Sequence, residues 1–207
     1  MAEPRRERPT EQQVREVVRR IVESTVEAGP AATPRTAPAP MEVAAAADRS
    51  RTVAVGADHG GYPLKQVILR ALAERGYAVT DCGTGSTDAV DYPDVAHAVA
   101  RLIADGTCAA GIMVDGAGIG SAMAANKVPG VRAANAHDTS MARNAREHNY
   151  ANMLTLGGRM IGEGLALEIV EVFLATPWGA ERHGARVDKI TAIEREYAMA
   201  AAPDGTR

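Results

Sequence analysis

Aromatic residues are scarce: one Phe, one Trp and five Tyr amount to 3 % of 207 residues. So few flat rings leave little on which unpaired bases could stack, and a net charge of −3 offers no basic footprint for nucleic acid. Cysteine is nearly absent too. Cys82 and Cys108 form no metal-ligand spacing, and their small number suits a reducing compartment in which thiols stay free. No apolar run approaches the roughly 18 residues of a membrane span, and the N-terminus lacks the hydrophobic core of a secretory signal. The expectation is a cytoplasmic protein with no nucleic-acid or membrane partner. Its length suits one well-buried domain and an appendage.

What the chain does have is unevenly spread. Residues 29–50, GPAATPRTAPAPMEVAAAADRS, are rich in Ala and Pro and show no periodic apolar face, which predicts a flexible-to-semi-rigid linker. Ahead of it, residues 1–28 are predicted to contain one amphipathic helix. Thr10 and Gln13 form a capping-box pattern, Gly29-Pro30 is a stop signal, and Val14, Val17, Val18 and Ile21 recur at helical spacing. A lone tethered helix cannot bury such a stripe by itself. It packs on its own domain or a second copy, or it docks in another protein's groove; balanced charges on the polar face disfavour a membrane surface.

From residue 52 strands and helices alternate. Strands are predicted at 52–57, 77–82, 109–114, 130–136 and 152–158. The intervening helices span 61–75, 93–105, the stretch from the glycine loop to Lys127, 139–147 and 164–174, and a last helix covers 187–200. Repeated βα units with apolar strands imply an α/β fold, a doubly wound five-stranded parallel sheet over residues 51–200, followed by a short tail at 201–207. Ligands of such sheets bind at the C-terminal ends of the strands. Asp58 and His59 follow the first strand, Tyr92 follows the second, and Asp115 opens the loop Gly116-Ala117-Gly118-Ile119-Gly120 after the third. His148 and Asn149 close the helix after the fourth strand, Arg159 follows the fifth, and Arg182 and Arg186 lie beyond the fifth helix. These residues are expected to converge on one rim, where arginine forks suit phosphate oxygens and backbone amides of the glycine loop suit a small oxyanion. The loop reads G-x-G-x-G, which is neither a dinucleotide fingerprint nor a P-loop. Blander readings stand beside these: Asp58 as a helix cap, His148 as a partner of a helix dipole, Arg182 and Arg186 as a solvated face.

The stretches ADHGGYPLK, DYPD, GAGIGSAMAANKVPGVRAA, AREHNYANMLTLGGRMIG and GARVDKI, in this order across residues 52–190, resemble the ribose-5-phosphate isomerase B family, which includes the galactose-6-phosphate isomerase subunits. The resemblance implies a Rossmann-like, metal-independent aldose–ketose isomerase without cofactor, acting on a small phosphorylated sugar through a cis-enediol. Ribose 5-phosphate and ribulose 5-phosphate are the default pair. It further implies a homodimer or homotetramer with active sites at the dimer interface. By motif, Asp58 and His59 hold the sugar and its phosphate end, Tyr92 lines the pocket, and Gly116 to Gly120 form the anion hole for the enediolate. His148 helps to open the sugar ring, Asn149 binds the intermediate, and Arg159, Arg182 and Arg186 grip the phosphate.

One departure matters. In the common branch a cysteine base occupies the position of Asp115 and a hydroxyl residue that of Ala117; another branch has a glutamate base where this chain has Ser121. Asp115 either replaces the missing base, as carboxylates do in other enolisations, or caps the glycine turn. The substitution leaves open a four- or six-carbon sugar phosphate, or a non-catalytic sugar-phosphate-binding or partner subunit. The N-terminal helix and tether also resemble the encapsulation peptides of bacterial microcompartment cargo, which implies shell proteins as partners of residues 10–28.

Overall fold

The computed structural model describes residues 50–200. The helix expected within residues 1–28, most of the linker and the 201–207 tail lie outside the described residues.

Short apolar stretches rich in Val, Ile, Leu and Ala form five strands: β1 (Thr52–Ala57), β2 (Ala78–Asp81), β3 (Ala110–Asp115), β4 (Ala133–Asn135) and β5 (Met153–Gly157). All neighbours pair in parallel, in the order β2-β1-β3-β5-β4. Among the described residues six helices accompany the sheet: α1 (Tyr62–Glu74), α2 (Tyr92–Ala104), α3 (Ile119–Ala125), α4 (Thr139–Asn149), α5 (Glu163–Ala175) and α6 (Glu181–Ala200).

Alternation along the strands divides the core between two faces. Val53, Val55, Ile112, Val114, Leu154 and Leu156 meet α1, α4 and α5 through Ile68, Leu72, Ala142, Ile169 and Phe173. Ala54, Met113 and Met153 meet α2 and α3 through Ala96, Val99, Ile103 and Ala125. Each large apolar side chain buried in these layers contributes about 1.5–3 kcal/mol. The second face approaches closely because it is small. A Cβ on Gly56 or Gly111 would lie within 2.8 Å of Val99 and its neighbours.

The doubly wound sheet agrees with the sequence expectation, with two shifts. β4 pairs over three residues instead of seven, and on its outer side Asn126 bonds both backbone groups of Ala133, at 2.8 and 2.9 Å. α6 begins at Glu181, not residue 187. Packing of the buried His183 and Val187 overrides the cost of about 1 kcal/mol that Gly184 imposes on a helix.

Candidate active site

The C-terminal edge of the sheet gathers the first group of expected residues. Asp58 is buried, and its Oδ1 accepts from the amides of Gly60 and Gly61 at 2.8 and 2.9 Å, which shapes the turn into α1. His59 is half-buried and its Nδ1 accepts from the amide of Val90 at 3.4 Å. The imidazole thus bridges to the loop before Tyr92. That loop is secured from below by Lys65, whose Nζ donates to both oxygens of Asp81 at 2.6 and 2.8 Å and to the carbonyl of Thr84 at 2.7 Å.

Asp115 ends β3 and is only 5 % exposed. Its Oδ1 accepts from the amides of Ala117 (2.7 Å) and Gly118, and its Oδ2 accepts from the amide (3.1 Å) and the hydroxyl of Ser121. A carboxylate has about four lone-pair positions, and here four donors engage them. The loop amides expected to serve an outside anion are therefore partly spent on the chain's own carboxylate. Those of Gly116, Ile119 and Gly120 have no protein acceptor among the described residues. Gly118 sits at φ +79°, and a Cβ there would meet Asn135 Nδ2 at 2.0 Å, so the turn tolerates only glycine. Tyr92 lies across Gly120: a Cβ on that glycine would stand 2.6 Å from the ring. Arg159 passes over Gly116 toward Gly60, with its backbone amide bonded to the Gly116 carbonyl at 3.2 Å and its guanidinium 3.6 Å from a Cβ built on Gly60. Asp58, His59, Tyr92, Asp115, Gly116 to Gly120 and Arg159 thus share one rim.

His148, Asn149, Arg182 and Arg186 do not join them within one chain. A helix that follows a parallel strand runs back along it, so the C-terminus of α4 lies near the start of β4 and β5. The carbonyl of Tyr150 accepts from Arg132 Nε at 2.9 Å, and Asn152 Oδ1 accepts from the Arg132 amide at 2.7 Å, one residue before β4. With 11 residues in α4, its two ends are about 16 Å apart. The expectation of a single rim is corrected accordingly. The signal was available, since α4 must deliver the chain to the beginning of β5.

This second group is itself compact. The rings of His148 and His183 stack with centroids 4.2 Å apart and planes 10° from parallel. The His183 imidazole is held below its ordinary value by burial first, then by His148 and by Arg182 and Arg186 on its own helix. The loop into α6 is tied to α4 by the Gly179 amide on the Glu147 carbonyl at 3.1 Å and by the Tyr150 hydroxyl on the Gly179 carbonyl at 3.1 Å. Arg182 and Arg186 are exposed beside it. Among the residues that went unassigned in the sequence, Lys65, Asn144 and His183 are the ones that the structure connects to these groups. Among the described residues, no set of three or more His, Cys, Asp or Glu side chains is placed to hold a metal ion.

Residues 53–190 match the family model described as Ribose/Galactose Isomerase. The chain belongs to the ribose/galactose isomerase family. It is 41 % identical over 145 residues to ribose-5-phosphate isomerase B of Escherichia coli, covering 70 % of this chain and 97 % of that one. Among solved structures, ribose-5-phosphate isomerase B of Clostridium thermocellum superposes with a TM-score of 0.70 at 48 % identity, over 70 % of this chain and 99 % of the other. The Mycoplasma genitalium enzyme, solved with bound ribulose 5-phosphate, gives 0.68 at 37 % identity over 70 % and 97 %. The chain is therefore a sugar phosphate isomerase of this family. No helix among the described residues is long and apolar enough to cross a membrane.

Proposed function

We propose that the protein interconverts ribose 5-phosphate and ribulose 5-phosphate through a cis-enediol, without a metal, in a dimer that joins the rim of one subunit to the α4–α6 end of the other. The observation that carries this reading is the division of the family's site residues between two ends of one chain. Each end is unfinished alone. The rim has His59, Tyr92 and Arg159 but neither the ring-opening His148 nor the phosphate clamp of Arg182 and Arg186. Apolar side chains exposed near both ends, including Ile119, Met123 and Met160 and, on α6, Ile190, Ile193 and Tyr197, fit surfaces that a second copy covers. The ribulose 5-phosphate bound by the Mycoplasma genitalium relative supports the substrate class.

In this reading His148 opens the sugar ring and Asp115 takes the proton from C2, the C–H pair forming the C1–C2 double bond as the carbonyl pair moves to O1. Asp115 then returns a proton to C1 while the O2 proton is lost to solvent and O1 gains one from it. The amides of Gly116, Ile119 and Gly120 receive the enediolate oxygen, and the arginines hold the phosphate. Asp115 must first release one donor. Three of its four contacts are backbone amides fixed by the turn, whereas the Ser121 hydroxyl withdraws by rotation about one bond. A turned hydroxyl frees Oδ2 for the carbon-bound proton. Replacing Asp115→Asn keeps the shape and removes the base. Turnover is expected to fall at least 100-fold, and exchange of the C2 proton with solvent deuterium to fall with it, while sugar phosphate still binds. Turnover within a few-fold of the unaltered protein sinks this role, and loss of binding with stability assigns Asp115 to the turn alone. Assays on phosphorylated tetroses, pentoses and hexoses test the substrate. The N-terminal segment is proposed, from its sequence, as a docking peptide for microcompartment shell proteins. Removing residues 1–48 should leave turnover intact and abolish co-purification with shell; unchanged co-purification refutes it.

A further inference from the structure

Asn144 lies one turn before His148 on α4 and was assigned no part in the sequence. Its carboxamide connects two residues of the proposed site. Asn144 Nδ2 is 2.9 Å from His148 Nδ1, and Asn144 Oδ1 is 3.2 Å from Asn149 Nδ2. The orientation of this chain of bonds follows from its far end. Asn149 Nδ2 also faces the Asn144 main-chain carbonyl at 3.4 Å, and a carbonyl only accepts. The atom of Asn149 at this junction is therefore its donor. The atom of Asn144 that meets it is the acceptor oxygen, and the NH₂ is left pointing at His148. An amide NH₂ only donates, so His148 Nδ1 carries no proton and the ring's proton resides on Nε2. The stacked His183 ring fixes the plane in which that proton is presented.

We propose that Asn144 is a positioning residue for His148, locking it as the Nε2–H tautomer so that it meets the cyclic sugar as a proton donor. The inference rests on the proposed role of His148 in ring opening. In that step the Nε2 proton passes to the ring oxygen as the C1–O bond breaks and its electron pair goes to that oxygen. The O1–H pair forms the C1 carbonyl, the O1 proton leaves to water, and water returns a proton to Nε2. A histidine with its proton on Nδ1 would face the ring oxygen with a lone pair. Asn144 is exposed on its helix, so it can be exchanged with little risk to the fold. It also borders a cavity of about 600 Å³ along the open edge of β4, together with Asn149.

The test uses the full chain with ¹⁵N-labelled histidine, its tautomers read by ¹H–¹⁵N correlation at a pH above the ordinary imidazole range. The unaltered protein is expected to show His148 protonated at Nε2. Asn144→Asp is isosteric but only accepts, and should draw the proton to Nδ1. In that variant kcat for ribose 5-phosphate should fall about tenfold or more, a fraction of the range for general acid catalysis, with KM changed less than about twofold. Consumption of ribulose 5-phosphate, an open-chain ketose that needs no ring opening, should fall less. Asn144→Ala releases the ring to a mixture of tautomers and should give an intermediate loss. A purely structural Asn144 would move neither the tautomer nor the difference between the two substrates. An unaltered protein with His148 protonated at Nδ1 overturns the proposal, as does an Asn144→Asp variant with reversed tautomer and undiminished turnover. If the unaltered protein turns over no sugar phosphate, the functional reading fails, and the tautomer spectrum still decides for or against the lock.

Discussion

Lys65 has no exposed surface, and its ammonium is satisfied by one carboxylate and one carbonyl. Its partner Asp81 is 44 % exposed, and this asymmetry predicts unequal costs. Asp81→Ala leaves a buried cation with a single acceptor and should cost about 3 kcal/mol. Lys65→Met lets Asp81 return to water and should cost about 1 kcal/mol. Denaturant midpoints of the two variants decide; equal losses would contradict the argument. The adjoining Cys82 thiol is pushed up to about 11 by burial first and then by Cys108 and Asp81, which makes it a slow nucleophile at neutral pH. The Asp115 side chain is buried and four donors hold it against the loop, so it must be partly unbound to react.

The junction of α4 and α6 carries a pH dependence. His183 is held below its ordinary value near 6.5, so between the two values the unfolded chain binds more protons than the folded one. Stability is then complete above about pH 6.5 and is lost as pH falls from there through the lower folded value. Thermal midpoints measured between pH 8 and pH 5 should decline for the unaltered protein and decline less for His183→Gln. At this scale much was legible in the sequence. β1 lies at 52–57 as expected because Val53 to Ala57 are small or apolar and buried, with polar residues at either end. The α4 start at Thr139 was also legible, since Asp138 caps it by accepting from the Met141 amide at 2.8 Å. The early start of α6 was not, because Gly184 signals a break that only tertiary packing overrides. The locking of Asp115 by Ser121 was not legible either. That contact spans six residues and depends on how tightly Gly118 and Gly120 turn the loop.

For the whole molecule, the decisive feature is that α4 carries His148 to the end of the sheet remote from Asp115. A dimer that pairs unlike ends contains two sites, each with one contribution from either chain. Defects at the two ends then become separable by mixing. Asp115→Asn and His148→Ala variants, each expected to be inactive alone under the proposed mechanism, can be unfolded together in equal amounts and refolded. Random twofold pairing puts half of the chains in mixed dimers, and each mixed dimer has one site with both defects and one with neither. About a quarter of full activity should reappear, by the combinatorics of pairing. A chain that worked alone would recover nothing, because no single copy in the mixture holds both intact residues.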